Sequence, residues 1–177
     1  MADNDPGRGY VHIYTGDGKG KTTAAVGLAV RAAGYGRRTY IGQFLKGQPY
    51  GELAALRDQP LITVEQYGDP HCIRREDVTA EHVDQARRGL ARATEALLSG
   101  RYDVVVLDEV TVAVWFELLT VEEVLAVLDQ RPRHVEVVLT GRRAPQALID
   151  AADLVTEMRE VKHYYRQGVL ARDGIER

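Results

Sequence analysis

Short apolar runs alternate with stretches of helical periodicity along most of the chain. Tyr10-Val-His-Ile-Tyr-Thr15, Thr39-Tyr-Ile-Gly-Gln-Phe-Leu45 and Leu61-Ile-Thr-Val-Glu65 read as three strands. Val104-Val-Val-Leu107 is apolar at every position and mostly β-branched, the pattern of a strand buried on both faces in a parallel sheet. Val135-Glu-Val-Val-Leu-Thr140 and Leu154-Val-Thr-Glu-Met158 read as two more. Between them lie helices. Thr22 to Ala33 is Ala-rich, with Val26, Ala29, Val30 and Ala33 expected on one face, and Gly34-Tyr-Gly36 closes it. Thr79 to Leu98 is the longest, with Val83, Ala86, Leu90, Ala93 and Leu97 on one stripe. Thr120-Val-Glu-Glu123 has capping-box spacing and predicts a helix from Val121 to about Gln130. Pro145 suits the first turn of a short helix ending near Ala151. Strands alternating with helices argue an α/β fold around a mainly parallel sheet, with its active edge at the strands' C-terminal ends.

Composition narrows this little. The 177 residues fit one domain, expected over 10–177, behind a loose polar arm at 1–9. A net charge of -3 gives no general attraction to nucleic acid or anionic membrane. No apolar run approaches the roughly 20 residues that span a bilayer, and the start has no signal-peptide core. A cytoplasmic protein without nucleic-acid or membrane partners is the expectation. The lone cysteine, Cys72, rules out an internal disulfide and an all-cysteine zinc site within one chain. It reads as a quiet, half-buried residue.

Chemistry concentrates in Thr15-Gly-Asp-Gly-Lys-Gly-Lys-Thr-Thr23, between the first strand and the first helix. Gly16, Gly18 and Gly20 let backbone N–H groups approach an anion. Lys21 adds charge, and the helix N-terminus adds its partial positive end. Thr22 offers a hydroxyl to a magnesium ion that bridges phosphates. This is the logic of a phosphate-binding P-loop, although Gly16 stands one residue nearer to Gly20-Lys21-Thr22 than the usual spacing requires. Val104-Val-Val-Leu-Asp108-Glu109 delivers two carboxylates to the C-terminal edge of a buried strand. If that strand neighbours the first, the acids face the loop and can hold magnesium with Thr22. Arg31 could reach phosphate or simply be solvated. Thr140-Gly-Arg-Arg-Ala-Pro145 offers two arginines at the same edge, at least one of them read as an ordinary basic loop residue. Trp115-Phe116 and Leu118-Leu119 read as core or interface.

These features define a Mg–ATP binder without choosing among kinase, motor, switch and transferase. The detailed wording of the chain does choose: it closely resembles the P-loop type of ATP:corrinoid adenosyltransferase. The resemblance runs from about Gly9 to Glu176. It is carried by Tyr14 to Ala25, Arg31-Ala-Ala-Gly34, Gln43-Phe-Leu-Lys-Gly47, Val106-Leu-Asp-Glu109, Leu139-Thr-Gly-Arg142, Ala152 to Met158, Val161-Lys-His163, Gly168-Val-Leu-Ala171 and Gly174-Ile-Glu176. The shortened loop is itself a trait of that family.

The resemblance implies a P-loop NTPase-like (RecA-like) mainly parallel sheet flanked by helices on both faces. It implies that a reduced corrinoid, as Co(I), attacks the 5′ carbon of ATP and releases triphosphate, in adenosylcobalamin synthesis or salvage. ATP then lies in reverse along the loop, with its 5′ carbon accessible. ATP and Mg²⁺ are the implied ligands, a corrinoid the second substrate, a reduced flavoprotein the type of electron donor, and a homodimer the assembly. By match, Gly18, Lys19, Gly20, Lys21, Thr22 and Thr23 hold the triphosphate, with Gly16 and Asp17 also counted as nucleotide-binding and Arg31 reaching phosphate or the nucleotide; Lys21, Thr22 and Glu109 are the catalytic set, and Thr22 and Glu109 hold Mg²⁺. Asp17 stands where Asn is common. Some relatives displace cobalt's lower ligand with a Phe and a Trp; here Gln66-Tyr-Gly-Asp-Pro-His-Cys-Ile73 has no such pair, which leaves Tyr67 and Ile73 as the candidates for the corrinoid pocket. The alternatives are an ATPase switch or motor that forms ADP, a nucleoside kinase, and a nucleotide-binding partner without catalysis.

Overall fold

The computed structural model describes residues 7–176. Six strands form one parallel sheet: β1 (Val11–Thr15), β2 (Thr39–Phe44), β3 (Ile62–Tyr67), β4 (Val104–Asp108), β5 (Glu136–Thr140) and β6 (Leu154–Glu157), in the order β3-β2-β4-β5-β1-β6. The helices are α1 (Lys21–Gly34), α2 (Gly51–Leu56), α3 (Ala80–Leu98), α4 (Val110–Trp115), α5 (Val121–Asp129) and α6 (Gln146–Ala151). All six expected strands and the four expected helices are present, within a residue or two at their ends. Two short helices, α2 and α4, were not expected.

Side chains alternate across the sheet, so it carries a core on each face. Val104, Val106, Ile41 and Val138 point toward α1, where they meet Ala25, Ala29, Ala32 and Leu56 of α2. Val105, Leu107, Ile13 and Leu139 point the other way, toward the Ala86–Leu90–Ala93–Leu97 stripe of α3 and the apolar faces of α4 to α6. The α3 stripe is as expected from its spacing, with Val83 packed at the cluster's margin. The α1 face differs. Ala25, Ala29 and Ala32 are buried while Val30 is half exposed, because a helix that lies close on a sheet turns its smallest residues inward. The capping box of α5 forms in full: the Thr120 hydroxyl accepts from the Glu123 N–H at 3.1 Å, and the Glu123 carboxylate accepts from the Thr120 N–H at 2.7 Å. Such a cap is worth about 1 kcal/mol.

Of the expected loose arm, residues 1–6 lie outside the described residues. Its end is not loose. Gly9 is buried, donates to the Arg133 carbonyl at 2.8 Å and accepts from the Arg131 guanidinium at 2.9 Å. Leu118 and Leu119 are buried, as expected of core residues, whereas Cys72 is exposed rather than half-buried, in a loop most of whose residues are exposed. Among the described residues, no helix is long and apolar enough to cross a membrane.

Candidate active site

The loop between β1 and α1 lies against the backbone that follows β6. The Gly18 N–H donates to the Met158 carbonyl at 2.7 Å. A Cβ on Gly16 or Gly18 would stand 2.4 or 2.7 Å from that same oxygen, so both positions require glycine. Lys21 opens α1 and folds back inside the loop, where its Nζ donates to the Gly16 carbonyl at 2.8 Å and to the Gly18 carbonyl at 2.6 Å. Burial pushes its ammonium below the ordinary lysine range, against the opposing pull of Glu109. An incoming anion would relieve that cost.

Facing the loop is a polar row at the C-terminal edge of the sheet. On β2, β4 and β5 the α1-facing positions run Ile41 then Gln43, Val106 then Asp108, and Val138 then Thr140. Gln43 pairs with Asp108 in register. Each strand therefore ends its buried face on a polar residue at one level, and all three of those residues are fully buried. Asp108 is the hub. Its Oδ1 accepts from the Thr22 hydroxyl at 2.8 Å and from the Thr140 hydroxyl at 2.7 Å. Its Oδ2 accepts from Lys46 Nζ at 2.8 Å and from Gln43 Nε2 at 3.2 Å. All four partners are donors, so both carboxylate oxygens are saturated.

The acids thus reach the loop without the adjacency expected of their strand: β5 lies between β4 and β1. It is Asp108, not Glu109, that bonds Thr22. Strand alternation explains this, since residue 108 shares the α1 face with Val104 and Val106. Glu109 follows in a left-handed turn (φ 63°), with its N–H donating to the Thr140 hydroxyl at 2.9 Å. Its carboxyl opens into the cleft. Burial and then the neighbouring Asp108 raise it above the usual glutamate range, opposed by Lys46, Lys21 and Arg142.

The cleft has a volume of about 650 Å³ and is lined by Gly18 to Thr23, by Lys46, Tyr50 and Glu52, by Glu109 and Arg142, and by Gly174 to Glu176. The C-terminal segment closes one side, where Lys19 Nζ donates to the Ile175 carbonyl at 2.8 Å. Gly16 contributes through its carbonyl, and Asp17 stays exposed at the rim. The two loop arginines separate: Arg143 stacks over the Trp115 ring at 4.4 Å, and Arg142 lines the cleft. The turn between them is pinned by the Thr111 hydroxyl, which donates to the Arg142 carbonyl at 2.9 Å.

Three sequence candidates do not join this cleft. Arg31 sits in the last turn of α1, roughly 13 Å along the helix from Thr22 at 1.5 Å per residue. It lines a separate hollow with Tyr35 and His134. The Tyr67 hydroxyl is spent on Tyr40 and Glu65, and its ring lies in a groove beside α3. Ile73 is half-buried in the loop before α3 and does not line the cleft. Conversely, the sequence reading assigned the site acid to Glu109 and not to Asp108, and gave no role to Gln43, Lys46, Glu52 or Thr140. The signal for Gln43, Asp108 and Thr140 was present: each lies two residues beyond an apolar strand residue on the same face.

A glycine-rich loop feeding the N-terminus of α1, faced by an acid at the end of a central parallel strand, defines a P-loop α/β protein. Residues 7–177 match the family described as ATP:corrinoid adenosyltransferase BtuR/CobO/CobP, and the chain belongs to that family. It is 39% identical over 175 residues to corrinoid adenosyltransferase CobA of Salmonella typhimurium, covering 96% of this chain and 86% of that protein. The corrinoid adenosyltransferase of Escherichia coli K12 is 38% identical over the same shares, 96% and 86%. That of Pseudomonas aeruginosa is 35% identical over 171 residues, covering 96% of this chain and 84% of that protein.

Proposed function

We propose that the chain transfers the 5′-deoxyadenosyl group of ATP to the cobalt of a reduced corrinoid and releases triphosphate. The observation that carries this is the pairing of the family match with a cleft that gathers cations around one loop: Lys19, Lys21, Lys46 and Arg142. Co(I) is itself a strong nucleophile, so the reaction asks the protein for no general base. It asks for a held nucleotide and a stabilised leaving group. The leaving triphosphate is highly anionic, and the Gly18–Thr23 backbone with Lys19, Lys21 and Arg142 supplies fixed positive charge to it. The electron that makes Co(I) comes from a separate donor, for which a reduced flavoprotein is the expected class.

Magnesium is proposed at the same edge. Thr22, Asp108 and Glu109 present oxygen ligands there, the donor type Mg²⁺ prefers, and a cation already sits among them in the form of the Lys46 ammonium. When bound, the metal would supply charge to the phosphates; Thr22 and Glu109 would hold it directly, with Asp108 orienting the Thr22 hydroxyl. A homodimer is proposed as well: β6 is an edge strand exposed along its length, and it presents the exposed Leu154 and Val155.

Incubating the protein with Mg–ATP, a cob(II)alamin or cob(II)inamide and a strong reductant tests the reaction. A light-sensitive Co–C product and free tripolyphosphate are expected in equal amounts; ADP as the main product would establish the hydrolytic reading instead. For the metal, Glu109→Gln is expected to move the Mg²⁺ midpoint of turnover upward by about tenfold or more. An unchanged titration would remove Glu109 from the metal site.

A further inference from the structure

The Lys46 ammonium is counted above only as one of the cleft's cations, yet it sits directly on Asp108, the hub of the site. β2 is followed by Leu45, whose left-handed backbone (φ 58°) is held by a 3.0 Å hydrogen bond from its N–H to the Tyr67 carbonyl. That turn carries Lys46 back over the sheet edge. Its Nζ stands 2.8 Å from Asp108 Oδ2, 3.3 Å from Thr22 Oγ1 and 3.7 Å from Glu52 Oε1. It also lies 5.1 Å from the centroid of the Tyr50 ring. The side chain is only 13% exposed. Thr22 Oγ1 gives its proton to Asp108 Oδ1 and offers a lone pair to Lys46, so the ammonium and the hydroxyl fill one place on each carboxylate oxygen, beside Gln43 and Thr140.

A divalent cation held by Thr22 would sit about 2.1 Å from Oγ1. An ammonium 3.3 Å from that same atom and bonded to Asp108 would then lie in or beside the metal's own coordination shell. Two cations that close repel in a site of low dielectric, so they do not share it. Glu52 and the Tyr50 ring lie just outward of Nζ and offer the ammonium a second resting place, because a lysine stem swings freely while its anchor stays fixed.

We propose that Lys46 is a positioning residue that stands in for the divalent cation. It holds Thr22 and Asp108 in register while the metal is absent, and yields that place when the metal arrives with the nucleotide. This rests on the reading of the loop as a Mg–ATP site. It has a consequence that a structural lysine or a simple phosphate ligand would not share: Lys46 matters more to nucleotide bound without metal than to nucleotide bound with it.

The test is calorimetric titration of the full chain with ATP, once in Mg²⁺ and once in EDTA, for the wild type, Lys46→Met, Lys46→Arg and Lys21→Ala. The quantity read is the ratio of the EDTA dissociation constant to the Mg²⁺ one. In Lys46→Met that ratio should rise at least about tenfold, the size of a lost charge-assisted contact, through weakening in the EDTA arm. Lys46→Arg, which keeps the charge, should leave the ratio within about threefold of wild type. An unchanged ratio in Lys46→Met, equal loss in both arms including complete loss, or a tenfold rise in Lys46→Arg overturns the proposal. If Lys21→Ala binds ATP as tightly as the wild type, the fault lies with the functional reading itself; if Lys21→Ala is impaired and the Lys46→Met ratio is flat, only the stand-in role falls.

Discussion

Lys21→Ala is expected to reduce adenosyl transfer by about 10³-fold or more in kcat/KM, equivalent to roughly 4 kcal/mol of lost transition-state stabilisation. The lysine has two tasks in the structure. Its ammonium bonds the Gly16 and Gly18 carbonyls and so sets the shape of the loop, and a third N–H remains for a phosphate oxygen. Alanine removes the charge and leaves two loop carbonyls without their partner. Burial already disfavours the free ammonium, so the site is poised to gain when an anion enters, and that gain disappears with the side chain. Negative charge accumulates on the triphosphate as the C–O bond breaks, so the loss should fall on kcat as well as on ATP affinity. Single-turnover rates of Co–C bond formation, measured beside ATP binding, check this. Turnover within about threefold of wild type would refute the assignment of the loop to the triphosphate.

The loop was legible because its meaning is local. Glycines, a lysine and a threonine between a strand and a helix carry their geometry in sequence, and the structure places Gly18 to Thr23 along one cleft. The buried strand β4 was legible for a similar reason, since four apolar residues in a row suit only a position covered on both faces. The strand order was not legible. Nothing in the sequence of β1 or β4 says that β5 separates them, because that follows from which crossovers cover which face. The helix α4 was missed because Val110-Thr-Val-Ala-Val-Trp115 is rich in β-branched residues; it is helical because Glu109 turns the chain and Val110 and Ala113 can then be buried. The position of Arg31 was not legible, for the opposite reason. Its motif lies close to the loop in sequence, but a regular helix carries it to the other end of the sheet.

The choice between the two adjacent acids turns on side-chain direction, and it separates their mutants. Asp108→Asn keeps the shape of the side chain and removes an acceptor that four donors share. With the amide in one orientation, its NH₂ group meets the Lys46 ammonium and the Gln43 amide. In the other, the Thr22 and Thr140 protons lose their acceptor. Either leaves the mostly buried Lys46 ammonium or a pair of hydroxyls without its counterpart beside the fully buried residue 108, so the free protein should lose about 2–4 kcal/mol of stability in denaturant unfolding. Activity should fall at least about a hundredfold, since Thr22 is no longer oriented toward the proposed metal. Glu109→Gln should behave otherwise. The folded protein raises the Glu109 carboxyl above its ordinary range, so ionising it costs stability as the pH climbs past that range. The amide removes that cost, and stability at neutral pH should hold or rise slightly while the metal requirement climbs. If instead Asp108→Asn unfolds like the wild type and Glu109→Gln is the destabilised one, then Asp108 is not the hub on which Gln43, Thr140 and Thr22 converge.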